Sequence, residues 1–342
     1  MNVAIRTDAT PQIGTGHVMR CLTLADVLST KGVAVSFLCC ELPLHLEELI
    51  TSKGHKFMRM DAARDDAEET RMLLKSLPVV DWLVVDHYGL DAGWETAVRP
   101  AVKGIVVIDD LANRSHDCDV LLDSTFGEDG CRYRGLIPAT CRKLFGATYV
   151  LLRPQFAEAR KRRLLSPNDG ELVAHVFFGG SDLRGYTSRF AQALASRLPH
   201  LRQEIAVGAL YPDTDGLGRL QREFPGRIVW QREVDDMAAH MSRCSVALGA
   251  PGIATWERAC LGLPSAYLAT HHNQRPILQA LEKRGLCRFL GDADLITDDA
   301  FIDGVREFLA DTRGLAGMRE IGLSAIDGNG AERVAHSLLG TE

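Results

Sequence analysis

No run in the sequence approaches the roughly 18 consecutive apolar residues that a membrane-spanning helix requires. The longest candidates, Val79 to Val85 and Gly104 to Ile108, are broken by Asp81 and Trp82 or ended by Asp109, and have the length of strands. A basic excess is also missing. The 39 Lys and Arg against 45 Asp and Glu leave a formal net charge of -6, the wrong sign for a nucleic-acid-binding surface, so DNA and RNA drop out as expected partners. The opening residues Met1 to Ile5 lead directly into Arg6 and Asp8 without a basic stretch, an apolar segment or a small-residue cleavage site. A cytoplasmic protein without stable membrane association is expected. The nine cysteines are odd in number and scattered, and their one close pair, Cys39 and Cys40, suits neither a zinc knuckle nor a dithiol redox motif. They read as reduced, mostly buried small apolar residues. The adjacent His271 and His272 have no third ligand at a suitable spacing, so neither a metal nor another cofactor is expected. Low-complexity segments and short-period repeats are absent as well.

What is present is the balance of an ordinary globular protein, 46% apolar and 25% charged, with 31 glycines that need a reason. At about 150 residues per domain, 342 residues argue for two domains. Strand-like runs alternate with helix-like stretches: Val3 to Arg6, His17 to Lys31, Ala34 to Leu38 and His45 to Lys53, then the strands Trp82 to Asp86 and Gly104 to Asp109. This is the pattern of parallel sheets covered by helices, whose ligands bind at the carboxyl ends of the strands. The second half repeats the opening, with a strand Ala174 to Phe178, a glycine loop through Ser181 and Asp182, and a helix Thr187 to Leu198. Further strands are expected at Ile205 to Val207, Arg227 to Trp230 and Val246 to Leu248, and a final amphipathic helix at Glu332 to Leu339. The sequence thus predicts an α/β protein of two Rossmann-like domains, 1–150 and 171–342. The linker, 151–170, carries Arg153-Pro154, the basic run Arg160 to Arg163 and Ser166-Pro167-Asn168-Asp169-Gly170. A monomer is expected.

The most informative stretch runs from Asp8 to Arg20. Gly14 and Gly16 let the backbone turn sharply and approach a ligand, and the following helix offers free N–H groups and a positive dipole end. His17 stands at that entrance, where added positive charge is unfavourable, and a neutral imidazole there is competent as a general base; it could equally cap or pack. A third glycine is missing, so the loop is a poor dinucleotide site. Gly179 and Gly180 follow a strand, and their backbone amides could cradle a diphosphate or merely make a tight turn. A third stretch, Gly249 to Glu257, has Gly252 and Thr255 at a helix start and Glu257 spaced to hold a ribose diol, unless it faces solvent. Asp86-His87-Tyr88 ends a strand and could line a sugar pocket or cap the core.

Taken in order, Asp8 to Ala25, Asp86-His87-Tyr88, Ile108 to Ala112, His116 to Asp119, Leu152-Arg153-Pro154, Phe178-Gly179-Gly180, Thr255-Trp256-Glu257-Arg258 and Asn273-Gln274 resemble the UDP-2,4-diacetamido-2,4,6-trideoxy-β-L-altropyranose hydrolases of pseudaminic acid biosynthesis. That family looks like the GT-B glycosyltransferases, especially the bacterial one that adds N-acetylglucosamine to lipid I. The resemblance implies two sheets facing a cleft that holds the sugar, and UDP on the second domain. It also implies a metal-independent, inverting attack of water at C1 with C–O cleavage. His17 matches the family's base, Asp8 an acidic position for sugar contact or orientation of the imidazole, and Tyr88 an aromatic residue near the sugar. Arg20, Gly14, Gly16, Gly179, Gly180, Gly252, Thr255, Glu257, Asn273 and Gln274 are carried over as substrate-binding positions. Ala250-Pro251 departs from the expected glycine-rich run and reduces the amides available to the diphosphate. A UDP leaving group of low pKa needs a base, a positioned water and dipoles more than a strong acid, and no carboxylate pair of a retaining glycosidase stands out. The rival readings are a GT-B transferase using an acceptor hydroxyl, disfavoured by Glu41, Glu47 and Glu48 around the one candidate acceptor-docking helix, and a non-catalytic UDP-sugar sensor, which would have no use for His17.

Overall fold

The computed structural model describes residues 1–10, 14–165, 171–180 and 182–341, so Gln12, Ile13, Ser181 and the predicted linker residues Ser166 to Gly170 lie outside the described residues. The chain divides into two compact units, Met1–Arg153 with Gly328–Glu342, and Pro154–Asp327. In the first, the strands are β1 (Asn2–Thr7), β2 (Ala34–Cys39), β3 (Lys56–Arg59), β4 (Val80–Asp86), β5 (Val102–Ile108), β6 (Val120–Asp123) and β7 (Arg142–Phe145). They form one sheet in the order β3-β2-β1-β4-β5-β6-β7, and every pairing is parallel. Alternate residues serve opposite faces. Val3, Ile5, Val84, Val106, Ile108, Val120 and Leu122 join one core, while Ala4, Leu83, Val85, Ile105, Val107 and Leu121 join the other. Because both faces are covered, the strands read in sequence as nearly continuous apolar runs.

The second unit has β8 (Val173–Phe177), β9 (Arg202–Val207), β10 (Ile228–Arg232), β11 (Val246–Gly249), β12 (Ser265–Ala269) and β13 (Arg288–Asp292). Its order is β10-β9-β8-β11-β12-β13, again parallel throughout. Counted from its own first strand, each sheet follows the order 3-2-1-4-5-6 of doubly wound folds.

Two predicted boundaries are corrected. The segment Pro154–Leu165, expected in the linker, is a helix of the second unit. Its basic run is not a solvated spacer: Arg160 donates to the carbonyls of Cys260, Leu323 and Ile326, and Arg163 to those of Met241, Ser242 and Cys244. The i, i+3 spacing delivers two cations to the carbonyl-rich ends of three other helices, where the dipole favours them. The last helix, Gly330–Leu339, belongs to the first unit rather than to the second domain. It buries Ala331, Val334, Ala335 and Leu338 in the first core, and Trp82 donates its indole N–H to the Leu338 carbonyl at 2.9 Å. An amphipathic helix at a chain end carries no local sign of which core receives its apolar face.

All nine cysteines are free, with Cys40 partly buried and Cys131 exposed. Among the described residues no helix is long and apolar enough to cross a membrane.

Candidate functional site

In both sheets the first and fourth strands of the unit lie side by side while their connections leave in opposite directions, which opens a crevice at their carboxyl ends. The residues singled out in the sequence lie on these edges.

In the first unit, β4 ends on Asp86, and the helix Gly16–Thr30 that follows β1 brings His17 and Arg20 against it. Asp86 Oδ1 lies 2.6 Å from His17 Nδ1 and 2.6 Å from Arg20 Nη2, and Oδ2 accepts from Arg20 Nε at 2.6 Å and from the Cys21 thiol at 3.4 Å. Nδ1 also lies 3.1 Å from Arg20 Nη2; the arrangement that satisfies all three groups has Nδ1–H and Nη2–H both donating to the carboxylate. With Nδ1 so engaged, His17 Nε2 has no hydrogen-bond partner among the described residues, and the whole residue is only 7% exposed. Burial would raise the Asp86 carboxyl, but the Arg20 guanidinium, helped by His17, outweighs burial and holds it well below the usual carboxylate range. Asp86 stays an anion.

Tyr88 packs edge-on against the His17 ring, with centroids 4.6 Å apart and planes at 87°. Its hydroxyl donates to Asp110 Oδ1 at 2.9 Å, and Asp110 Oδ2 lies 3.4 Å from Arg20 Nη1. Burial and the Asp110 carboxylate push the Tyr88 phenol up, so it remains a donor. At 42% exposure, Tyr88 still offers ring surface outward.

Of the two roles expected of Asp8, orientation of the imidazole falls to another residue. The carboxylate that orients the imidazole is Asp86, while Asp8 Oδ1 accepts the backbone N–H groups of Cys40 and Glu41 at 2.7 and 3.1 Å and its Oδ2 lies 2.8 Å from Arg6 Nη1. Asp8 stitches the loop after β1 to the end of β2, because these two strands are paired neighbours. His87 stands beside it, with Nε2 3.5 Å from Asp8 Oδ2 and Nδ1 accepting from the Gly89 N–H at 3.1 Å. Burial, reinforced by Arg6, pushes His87 down, so it is a neutral neighbour. Gly14 takes φ +79°, a left-handed conformation that favours glycine, and neither Gly14 nor Gly16 has another atom within reach of an added Cβ. Thr15 caps the helix without a side-chain hydrogen bond.

In the second unit, Gly179 and Gly180 follow β8, Gly252 follows β11, and Asn273 and Gln274 follow β12, three strands that are neighbours in the sheet. Gly179 (φ +106°), Gly180 and Gly252 (φ +136°) all face open space. Gly252 precedes the helix Ile253–Cys260, and its N–H lies 3.3 Å from Thr255 Oγ1. Glu257 is 7% exposed, so it does not face solvent. The buried Arg258 ties the two loops together, donating to the Phe177 carbonyl at 3.2 Å, while the Ala250 N–H donates to the same carbonyl at 3.1 Å. Gln274 uses its Oε1 to accept the Thr270 N–H at 2.9 Å and so shapes its own loop; Asn273 is exposed.

Sequence reasoning missed three participants. Asp86 was noticed as part of a trio but not paired with His17, 69 positions away, because the pairing depends on β1 and β4 being adjacent. Asp110, within the stretch Ile108 to Ala112, carries no sign in the sequence that it joins Tyr88 to Arg20. Asp182 caps the helix Tyr186–Arg197, accepting the N–H groups of Tyr186 and Thr187 at 3.0 and 2.7 Å. Those amides are therefore engaged by the protein itself. Among the described residues no group of three His, Cys, Asp or Glu is arranged for a metal ion.

Comparison with known proteins adds to this geometry. No family model matches the chain. An uncharacterised protein of Methanocaldococcus jannaschii is 24% identical over 283 residues, 80% of this chain; the match spans only 57% of that relative. The spore coat polysaccharide biosynthesis protein SpsG of Bacillus subtilis is 21% identical over 341 residues, 98% of this chain and 96% of its own length. The UDP-2,4-diacetamido-2,4,6-trideoxy-β-L-altropyranose hydrolase of Campylobacter jejuni is 27% identical over 222 residues, 65% of this chain and 74% of its own. Among solved structures, MurG of Acinetobacter baumannii superposes with a TM-score of 0.69 at 14% identity, covering 99% of both chains. The UDP-GlcNAc 2-epimerase of Neisseria meningitidis gives 0.62 at 11% identity, over 99% of this chain and all of that one. The chain has the GT-B fold, and its sequence resembles the UDP-2,4-diacetamido-2,4,6-trideoxy-β-L-altropyranose hydrolase family.

Proposed function

We propose that the protein processes UDP-sugars and, more specifically, hydrolyses UDP-2,4-diacetamido-2,4,6-trideoxy-β-L-altropyranose to UDP and the free sugar. The observation that carries this reading is the His17–Asp86 pair, 2.6 Å apart, which engages Nδ1 and leaves Nε2 as the nitrogen that can take a proton. Water attacks the anomeric carbon as the bond from C1 to the diphosphate oxygen breaks. The bonding pair leaves with UDP, and the water proton passes to His17 Nε2. Asp86 keeps its charge and stabilises the imidazolium without taking the proton. The second unit holds UDP, with backbone N–H groups at Gly179, Gly180 and the helix start after Gly252 meeting the diphosphate and Thr255 and Glu257 contributing to the nucleoside side. Because dipoles rather than cations meet the phosphates, a net charge of -6 is compatible with an anionic substrate. Tyr88 lends its outward ring face to the sugar, and Asp8 acts by holding the loop in shape.

The test is incubation of the purified protein with this UDP-sugar in ¹⁸O-labelled water. UDP and free sugar should form without any acceptor, with the label on sugar C1. Label in UDP would overturn C–O cleavage, and UDP release only after an acceptor is added would make the protein a transferase.

A further inference from the structure

Five side chains close a ring around the candidate base. Tyr88 donates to Asp110, Asp110 pairs with Arg20, Arg20 forks onto Asp86, Asp86 holds His17, and His17 packs back on Tyr88. The resemblance implies Arg20 as a substrate contact, yet Nε, Nη1 and Nη2 are each turned to a carboxylate of the protein. We propose that Arg20 is instead a positioning residue: its two-pronged grip holds the Asp86 carboxylate in a single orientation against Nδ1, so that the Nδ1 proton of His17 stays in place and Nε2 points away as the base. This rests on the reading of His17 as the base.

The chemistry supports that role. A carboxylate has about four acceptor directions, and those of Asp86 are taken by Arg20 twice, His17 and Cys21. A planar guanidinium fixes both oxygens at once, whereas an ammonium would reach only one. Without the fork, Asp86 can rotate, and the imidazole can exchange its proton between the two nitrogens. Its negative charge would also act on His17 uncompensated. Besides these five, the titratable groups facing the ring are Cys21 from the helix and His87 from the loop after β4, with Arg6 and Asp8 from β1 and the loop that follows it acting on His87. Within the ring, Arg20 is the permanent cation.

The experiment compares wild type with Arg20→Met and Arg20→Lys. In the unliganded protein, ¹⁵N spectra of labelled histidine, assigned with His17→Gln, should show His17 as the Nδ1–H tautomer in wild type and a mixture in Arg20→Met. In turnover, Arg20→Met should lower kcat by about 10²-fold, the low end of what a positioned base contributes, with KM changed by less than about 3-fold. The acid limb of its kcat profile should move to higher pH, because the uncompensated Asp86 anion favours imidazolium. Arg20→Lys should restore the position of that limb but only part of kcat. Asp110→Asn, which loosens the outer brace and leaves the fork in place, guards against a misfolded Arg20 variant; it should give a smaller loss of kcat, without the rise of the acid limb, because it removes an anion rather than a cation. A raised KM with unchanged kcat would return Arg20 to substrate binding, and an unaltered tautomer in Arg20→Met would overturn the proposal outright. If wild type releases no UDP, the hydrolase reading fails, while the tautomer spectra still judge the role of Arg20.

Discussion

Along the carboxyl edge of the first sheet, Asp8, Asp86, Asp109, Asp110 and Asp123 each meet an arginine: Arg6, Arg20, Arg114, Arg20 and Arg132 respectively. Along the same edge of the second sheet, the positions after β8, β9 and β11 are Gly179, Gly180, Gly208 and Gly252. Two sheets of one strand order thus carry different equipment. The first presents fixed side-chain charge and one free imidazole nitrogen, which suits moving a proton. The second presents bare backbone, which suits approaching a large anion closely. Damage to the first edge should come from changing charge or hydrogen-bonding capacity, and damage to the second from adding a Cβ.

The sharpest way to break that contrast is His17→Ala. Turnover should fall by about 10²- to 10⁴-fold, while UDP binding measured by calorimetry stays as in wild type; a matching loss of UDP affinity would erase the division of labour. Asp86→Asn should come next, with kcat reduced by about 10²-fold or more because the neutral amide can favour the wrong tautomer. Circular dichroism is needed alongside it, since Arg20 would lose its buried partner. Gly252→Val should act the opposite way. At φ +136° a β-branched residue is strained, and its side chain stands where a ligand would approach, so UDP affinity should drop by about tenfold with a smaller change in kcat.

The smallest effect concerns pH and stability. His175 and His240 are buried in the second unit, with rings 5.3 Å apart. Burial, then Arg258 and His240, push His175 well down, and burial with Arg243 pushes His240 down to about 4. In the unfolded chain both take protons near pH ~6.5. The unfolded state therefore binds more protons on the acid side, and stability falls as pH drops from there through the folded values. Urea titrations across that window should show the loss, and His240→Phe should flatten it; an unchanged slope would detach His240 from the effect.

Much of this organisation is legible in the sequence, and the parts that are not share a cause. Parallel strands buried on both faces announce themselves as apolar runs, and Asp86, Asp109 and Asp123 mark where strands end or have just ended. His17 and the glycine loops stand out because few other roles need those residues at a strand-to-helix turn. Asp86 as the partner of His17 was hidden, because strand adjacency rather than spacing joins them. The helical nature of Pro154–Leu165 was hidden by its arginines, which look solvated until the helix ends they cap are known. Asp8 shows the reverse error, in which an acidic residue near a histidine in sequence serves the backbone of another strand.

The return of the helix Gly330–Leu339 to the first core has a bearing on how the protein is made. The second unit is one uninterrupted segment, whereas the first is assembled from the two ends of the chain. During synthesis the second unit can finish folding while the first still lacks Val334, Ala335 and Leu338. A nascent chain halted near Asp327 would carry a closed second unit beside an unsealed first one, with Trp82 missing its carbonyl partner. The second unit should therefore close on the ribosome before the first, and the helix Gly330–Leu339 is the piece that completes the first core.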